Sequence, residues 1–185
     1  MQVALVERAR AGDEEAFASL ARAAGDRLLA IAYRILRDLG LAEDAVQQTL
    51  VLAWRELPSL RDVDRFDAWL RRLLVHACYR EVKRGRQWAA NVRALPMDQP
   101  AGGGDYDSVV ERDALERGYR RLPVEQRSVF VFHHYLGLTL IEVAAELGVP
   151  LGTVKSRLHY ATNTLRAVLE ADLRIPDHSS REHSA

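Results

Sequence analysis

The sequence predicts an all-α protein: two small helical domains joined by a flexible linker, the C-terminal one a helix-turn-helix. Three observations carry this expectation. Apolar residues recur at helical spacing in both halves, and no strand-like alternation appears. From Gln87 to Ser108 the periodicity stops, and the chain holds Pro96, Pro100 and Gly102–Gly103–Gly104. About 22 structureless residues inside a compact domain would be unusual, so this stretch reads as a linker. Residues Thr139 to Leu165, TLIEVAAELGVPLGTVKSRLHYATNTL, have the punctuation of two helices around a tight turn. The expected organisation is a helical domain at 1–86, a linker at 87–108, a second domain at 109–170 and a frayed, Ser- and His-rich tail at 171–185.

The elements follow in order. Asp13 can cap a first helix, with Glu14 and Glu15 suiting its positive N-terminal end. That helix carries Phe17, Leu20, Leu28, Ile31, Ala32 and Ile35 toward a core and ends near Asp38–Gly40. A second helix at 42–57 is stopped by Pro58. Ala42, Val46, Leu50, Ala53 and Leu57 share its expected core face; Asp44, Gln48, Val51 and Arg55 share the other, with Gln47 and Leu52 at the edges. After the loop PSLRDVD, a third helix at 65–86 places Phe66, Leu70, Leu73 and Ala77 inward. Its other side offers Arg71, Arg72, Val75, Tyr79, Val82, Lys83 and Arg86, with Trp69 near one edge. Beyond the linker, helices are expected at 109–121 and 124–135, then the helix-turn-helix.

Each signal in that last unit has a physical basis. Thr139 and Glu142 have capping-box spacing, and Leu138 and Val143 sit where a hydrophobic staple packs. Ala144 is small, as a close helix crossing requires, and Gly148 follows where the chain must turn sharply. Pro150 suits the first turn of the next helix, where its missing N–H costs nothing. At 100° per residue, Val154, Leu158, Ala161 and Leu165 form one face, while Ser156, His159, Tyr160 and Asn163 fall opposite, flanked by Lys155 and Arg157. A polar, basic, aromatic face of this kind suits base edges and phosphates. An ordinary helical hairpin with a solvated face is the alternative.

Composition bounds the rest. Of 185 residues, 48% are apolar and 28% charged, which fits a soluble protein. No transmembrane span or secretory signal is expected, so the cytoplasm is the default compartment. The single Cys78 cannot form an internal disulfide and reads as a small apolar residue. Twenty-six basic residues balance 26 acidic ones, which does not favour strong unaided DNA binding. The distribution is uneven, however. Arg71, Arg72, Arg80, Lys83, Arg84, Arg86 and Arg93 lie in a block whose one acid is Glu81. Arginines interleaved with aromatics on the third helix suit nucleic acid: charge follows phosphates and rings stack on bases. A solvated basic helix is the plainer reading. Val51 and Leu52 among polar residues on the second helix suggest a partner surface, though scattered outward apolar residues are common.

Three segments together resemble a known family. AEDAVQQTLVLAWREL resembles the core-polymerase-binding helix of bacterial RNA polymerase sigma factors of the sigma-70 family, extracytoplasmic-function (ECF) group. FDAWLRRLLVHACYREVKRGR resembles that family's promoter −10 region, and LPVEQRSVFVFHHYLGLTLIEVAAELGVPLGTVKSRLHYA its −35-binding domain. The resemblance covers roughly residues 3 to 170. It implies core RNA polymerase and promoter DNA as partners. Members are often held inactive by an anti-sigma factor, which the sequence does not name. It implies polymerase docking through Asp44 and Gln47, beside Gln48, Val51 and Arg55. Gln48 stands where the family usually has Glu, and Leu50 where it usually has Phe. It implies −10 recognition and melting by Arg61, Asp64, Arg65, Trp69, Arg72, Tyr79 and Lys83, and −35 recognition by Lys155, Ser156, Arg157, His159 and Tyr160.

Two other readings stand beside it. A stand-alone helix-turn-helix regulator would need a dimerisation face or ligand pocket, and neither is evident. An enzyme would need a site. His133–His134, His76 and Cys78 lack metal-ligand spacing, and the glycine run at 102–104 lacks the lysine and strand-to-helix context of a phosphate loop. No cofactor or metal is expected.

Overall fold

A computed structural model of the chain describes residues 2–92 and 110–172. Among the described residues every regular element is helical: α1 Gln2–Arg10, α2 Glu14–Leu36, α3 Leu39–Glu56, α4 Phe66–Val92, α5 Val110–Arg121, α6 Val124–Phe130, α7 Leu140–Leu147 and α8 Leu151–Asp172. Short 3-10 turns at Leu57–Ser59 and Val63–Arg65 join α3 to α4, and a wide π-type turn at Val131–Tyr135 continues α6. No described helix is long and apolar enough to cross a membrane.

Local chemistry sets the helix ends. The Asp13 carboxylate accepts the Ala16 N–H at 3.0 Å, and Arg8 Nε donates to it at 2.8 Å. Those bonds hold its carboxyl below the usual aspartate range, the Ala16 N–H contributing most. Asp38 caps α3 through the Leu41 N–H. Helix α1 lies outside the sequence expectation. It buries only Val6 and Ala9 within a charged segment, too few apolar positions to show a period. Helix α4 runs past its expected end at Arg86 to Val92, because Gln87–Trp88–Ala89–Ala90 favour helix and the next proline is Pro96. The rest of the expected linker, and the tail from 173, lie outside the described residues.

The core of the first half is built by α2, α3 and α4 around Leu28, Ile31, Ile35, Leu57, Leu70 and Leu74. Helix α3 is wedged between α2 and α4, so its buried side is wider than one stripe. Ala45 and Thr49 are fully buried, while Val46 and Leu50 are only half-buried. Thr49 resolves its polarity by donating its hydroxyl to the Ala45 carbonyl at 2.6 Å.

The two halves do not stand apart. Helices α2 and α4 pack on α6, and α4 packs on α7. One apolar cluster runs from Val6 through Leu74 and Val75 to Val129, Phe132, Val143 and Val154. Val75, expected on the outer face of α4, is 2% exposed. A smaller cluster of Leu122, Ala161 and Leu165 binds α5 to α8. At the junction Arg37 adopts a left-handed backbone (φ +58°) at the end of α2, a conformation that costs a non-glycine residue about 1 kcal/mol.

Candidate nucleic-acid and partner interfaces

The helix-turn-helix forms as its punctuation demands. Thr139 Oγ1 accepts the Glu142 N–H, and the Glu142 carboxylate accepts the Thr139 N–H at 2.8 Å and its hydroxyl at 2.7 Å. Gly148 ends α7 at φ +66°, where a side chain would be strained. Pro150 stands one residue ahead of α8, and its carbonyl accepts from Thr153 and Val154. Val154 and Ala161 are fully buried, which turns Lys155, Ser156, His159 and Tyr160 outward. Tyr160 is 61% exposed. Ser156 donates to the Thr153 carbonyl at 3.0 Å, and Asn163 pairs with His159 Nε2 at 2.9 Å. Lys155, His159, Thr162, Asn163 and Arg166 line one groove with Leu140 and Leu158. Thr162 and Arg166 were missed in the sequence, although Arg166 falls two turns after His159 on the same arc. Arg157 is half-buried instead, close enough for its charge to act on the Tyr79 phenol of α4.

The expected −10 residues separate into two groups. Arg61, Arg65, Trp69 and Arg72 converge on one cavity of about 270 Å³, which Leu60, Asp62 and Ala68 also line. The 3-10 turn at Val63–Arg65, held by Asp62 accepting the Asp64 N–H, folds this loop back against the start of α4. Trp69 is fixed by its contact with Phe66, ring centroids 5.8 Å apart. Asp64 and Lys83 are exposed. Tyr79 is not free on the outer face: burial raises its phenol pKa, and it lies beside Ser128 of α6, whose own hydroxyl donates to the Val124 carbonyl. Two residues of α7, Ala145 and Glu146, form the far wall of the cavity.

On α3, Asp44, Gln47, Val51 and Arg55 are exposed, Val51 by 54%. Gln47, Gln48, Val51, Leu52 and Arg80 line a shallow groove between α3 and α4. Gln48 is tied inward: its amide donates to Glu81, which is 1% exposed and also paired with Arg84. Arg84 reaches Asp44 at 3.5 Å. The sequence marked Glu81 only as the one acid in a basic block; its partners lie on a separate helix and at one turn's distance.

Two family models match the chain: Sigma-70 region 2 over residues 20–89 and Sigma-70, region 4, over residues 112–164. The ECF RNA polymerase sigma factor SigL of Mycobacterium tuberculosis is 31% identical over 168 residues, covering 86% of this chain and 94% of that protein. The RNA polymerase sigma-E factor of Streptomyces avermitilis is 32% identical over 181 residues, covering 94% and 98%. The chain belongs to the ECF sigma factors of RNA polymerase. Solved structures agree. CnrH in complex with the cytosolic domain of CnrY matches at a TM-score of 0.63 with 27% identity, covering 92% of this chain and 98% of that one. The sigma factor RpoE in complex with the anti-sigma factor NepR, from Bartonella quintana, matches at 0.59 with 27% identity, covering 80% and 92%. This sigma factor therefore directs RNA polymerase to promoters and is not a stand-alone regulator. His133 Nδ1 meets the Leu138 carbonyl at 2.8 Å, and the exposed His134 lies 4.5 Å from the Phe130 ring.

Proposed function

We propose that this sigma factor divides promoter recognition between two surfaces and docks on polymerase through a third. Helix α8 holds the −35 element through Lys155, Ser156, Arg157, His159 and Tyr160. Lys155 and Arg157 set register on phosphates; Ser156 and His159 read base edges. The loop before α4 takes the −10 strand. Arg61, Arg65, Trp69 and Arg72 form a pocket in which a base turned out of the stack meets an aromatic wall and guanidinium planes. Asp64 and Lys83 extend that surface along the strand; Tyr79, buried against α6, supports it from within. Helix α3 offers Asp44, Gln47, Val51 and Arg55 to core polymerase, with Gln48 supporting that face from within. The convergence of Arg61, Arg65, Trp69 and Arg72 on one cavity supports this reading most strongly.

Polymerase supplies the catalysis, and the sigma factor contributes binding and strand opening rather than an active site. The cytoplasm, where polymerase works, is its place of action. An anti-sigma partner fits as regulator, since RpoE was solved with one; a protein of that class would suppress transcription in proportion to its occupancy.

Run-off transcription and gel shifts test the assignment. Purified chain alone should not shift promoter DNA at physiological salt, and with core polymerase it should initiate at discrete sites. Lys155→Ala should weaken holoenzyme binding across promoter sequences and lower the salt slope by about one. An unchanged slope would remove Lys155 from the phosphate contacts.

A further inference from the structure

Helix α8 presents two side chains assigned to base edges, and only one of them is held in place. The Ser156 hydroxyl donates to the Thr153 carbonyl of its own helix at 3.0 Å. A hydroxyl turns readily between giving and accepting a hydrogen bond, so Ser156 can meet donor and acceptor edges alike. His159 is different. Its Nε2 lies 2.9 Å from the Asn163 side-chain nitrogen, one turn further along the helix. The Tyr160 ring meets it in a T-shaped contact, centroids 5.9 Å apart. All three residues are exposed, so these contacts order the outer surface of α8 and add nothing to the core.

The chemistry of the pair fixes more than a direction. An amide nitrogen donates and does not accept, so His159 Nε2 is the acceptor. A neutral imidazole whose Nε2 accepts carries its proton on Nδ1. The nitrogen left for DNA is therefore a donor. In the major groove guanine offers two acceptors, N7 and O6, where cytosine offers only its N4 donor. The pair lies in a groove of about 360 Å³ that Lys155 and Arg166 also line, one turn before His159 and two turns after it. Cations on both sides draw the phosphates in and set the ring against the bases.

We propose that Asn163 is a positioning residue for promoter recognition: it holds His159 as an Nδ1 donor and so makes guanine the base that His159 selects in the −35 element. This rests on the assignment of His159 to the −35 bases. Asn163 acts through the ring rather than on a base. A donor set against the cytosine donor leaves both groups without a partner in a contact that excludes water, and that penalty is the source of the discrimination. Without Asn163 the ring turns and takes either tautomer, so it meets either edge. Loss of Asn163 costs selectivity far more than affinity, because Lys155 and Arg157 still hold the phosphates.

Competition binding by the holoenzyme tests the proposal, with each −35 position of a mapped promoter varied in turn. At one position wild type should favour guanine over cytosine about tenfold, and His159→Ala should abolish that preference. Asn163→Leu should reduce it to about twofold at nearly unchanged affinity for the guanine promoter, and Asn163→Gln, which keeps a donor amide, should restore most of it. The double variant His159→Ala/Asn163→Leu should discriminate no worse than His159→Ala alone, since the two residues act as one unit. In mildly alkaline buffer, nitrogen NMR of the histidine-labelled full chain should place the His159 proton on Nδ1 in wild type and mainly on Nε2 in Asn163→Leu. Full discrimination by Asn163→Leu, a His159-dependent preference for cytosine, or a wild-type proton on Nε2 overturns the proposal. Failure of the underlying assignment looks different: His159→Ala would then change the preference at no −35 position, while the spectra still showed Asn163 holding the ring.

Discussion

Gln48 shows how one side chain can be both a family position and a private structural contact. The family's usual residue there, Glu, would set a second carboxylate against Glu81, which is 1% exposed. The Gln amide instead donates a hydrogen bond to that carboxylate, whose charge the Arg84 guanidinium balances. Like charges brought together at a buried site are destabilising. Gln48→Glu should therefore lower stability by about 1–3 kcal/mol, read as a lower urea midpoint at neutral pH. An unchanged midpoint would mean that Glu81 has room to turn away. The departure at Gln48 was legible in the sequence; its reason was not, because Glu81 lies 33 residues along the chain. By contrast Lys155, His159 and Tyr160 were legible, since one helix's own periodicity turns them away from Val154 and Ala161.

Helix α7 is the element whose geometry sets the angle at which α8 is presented, and its start depends on two residues. Thr139→Ala removes the side-chain half of the capping box and should cost about 1 kcal/mol. The hydroxyl and backbone N–H of Thr139 also hold the Glu142 carboxyl below the ordinary glutamate range. A lowered folded pKa stabilises fully above the unfolded value of about 4.3 and is lost as pH falls through the folded value. The gap between wild type and Thr139→Ala should thus be full at neutral pH and narrow in acid, as thermal melts across that range would show. A gap that widens in acid would contradict the capping account. Signals of this kind are local, which is why α2, α3, α7 and α8 could be placed from sequence, with Gly148 marking the turn. Where packing decides, the sequence was less informative. Helix α3 rotates to bury Ala45 and Thr49 because two helices flank it, and α1 shows no period because it covers so little core.

At the scale of the molecule, zero net charge and a bipartite reader belong together. Little of the affinity for DNA need come from the free chain when polymerase holds both domains against the promoter. The contact between the domains was not visible in the sequence. Val75 and Tyr79 looked like outward residues interleaved with arginine on a nucleic-acid surface, and they are also the apolar positions on which α6 packs. One amphipathic face can serve both uses, and only the fold shows the second. The central claim is that α8 secures the promoter while the α4 pocket opens it. Permanganate reactivity of −10 thymines, measured with saturating holoenzyme, tests it directly. Lys155→Ala should need more holoenzyme but reach wild-type reactivity at saturation, whereas Trp69→Ala should stay bound and leave the −10 thymines unreactive. Full reactivity with Trp69→Ala, or strand opening lost at saturation with Lys155→Ala, would contradict the account.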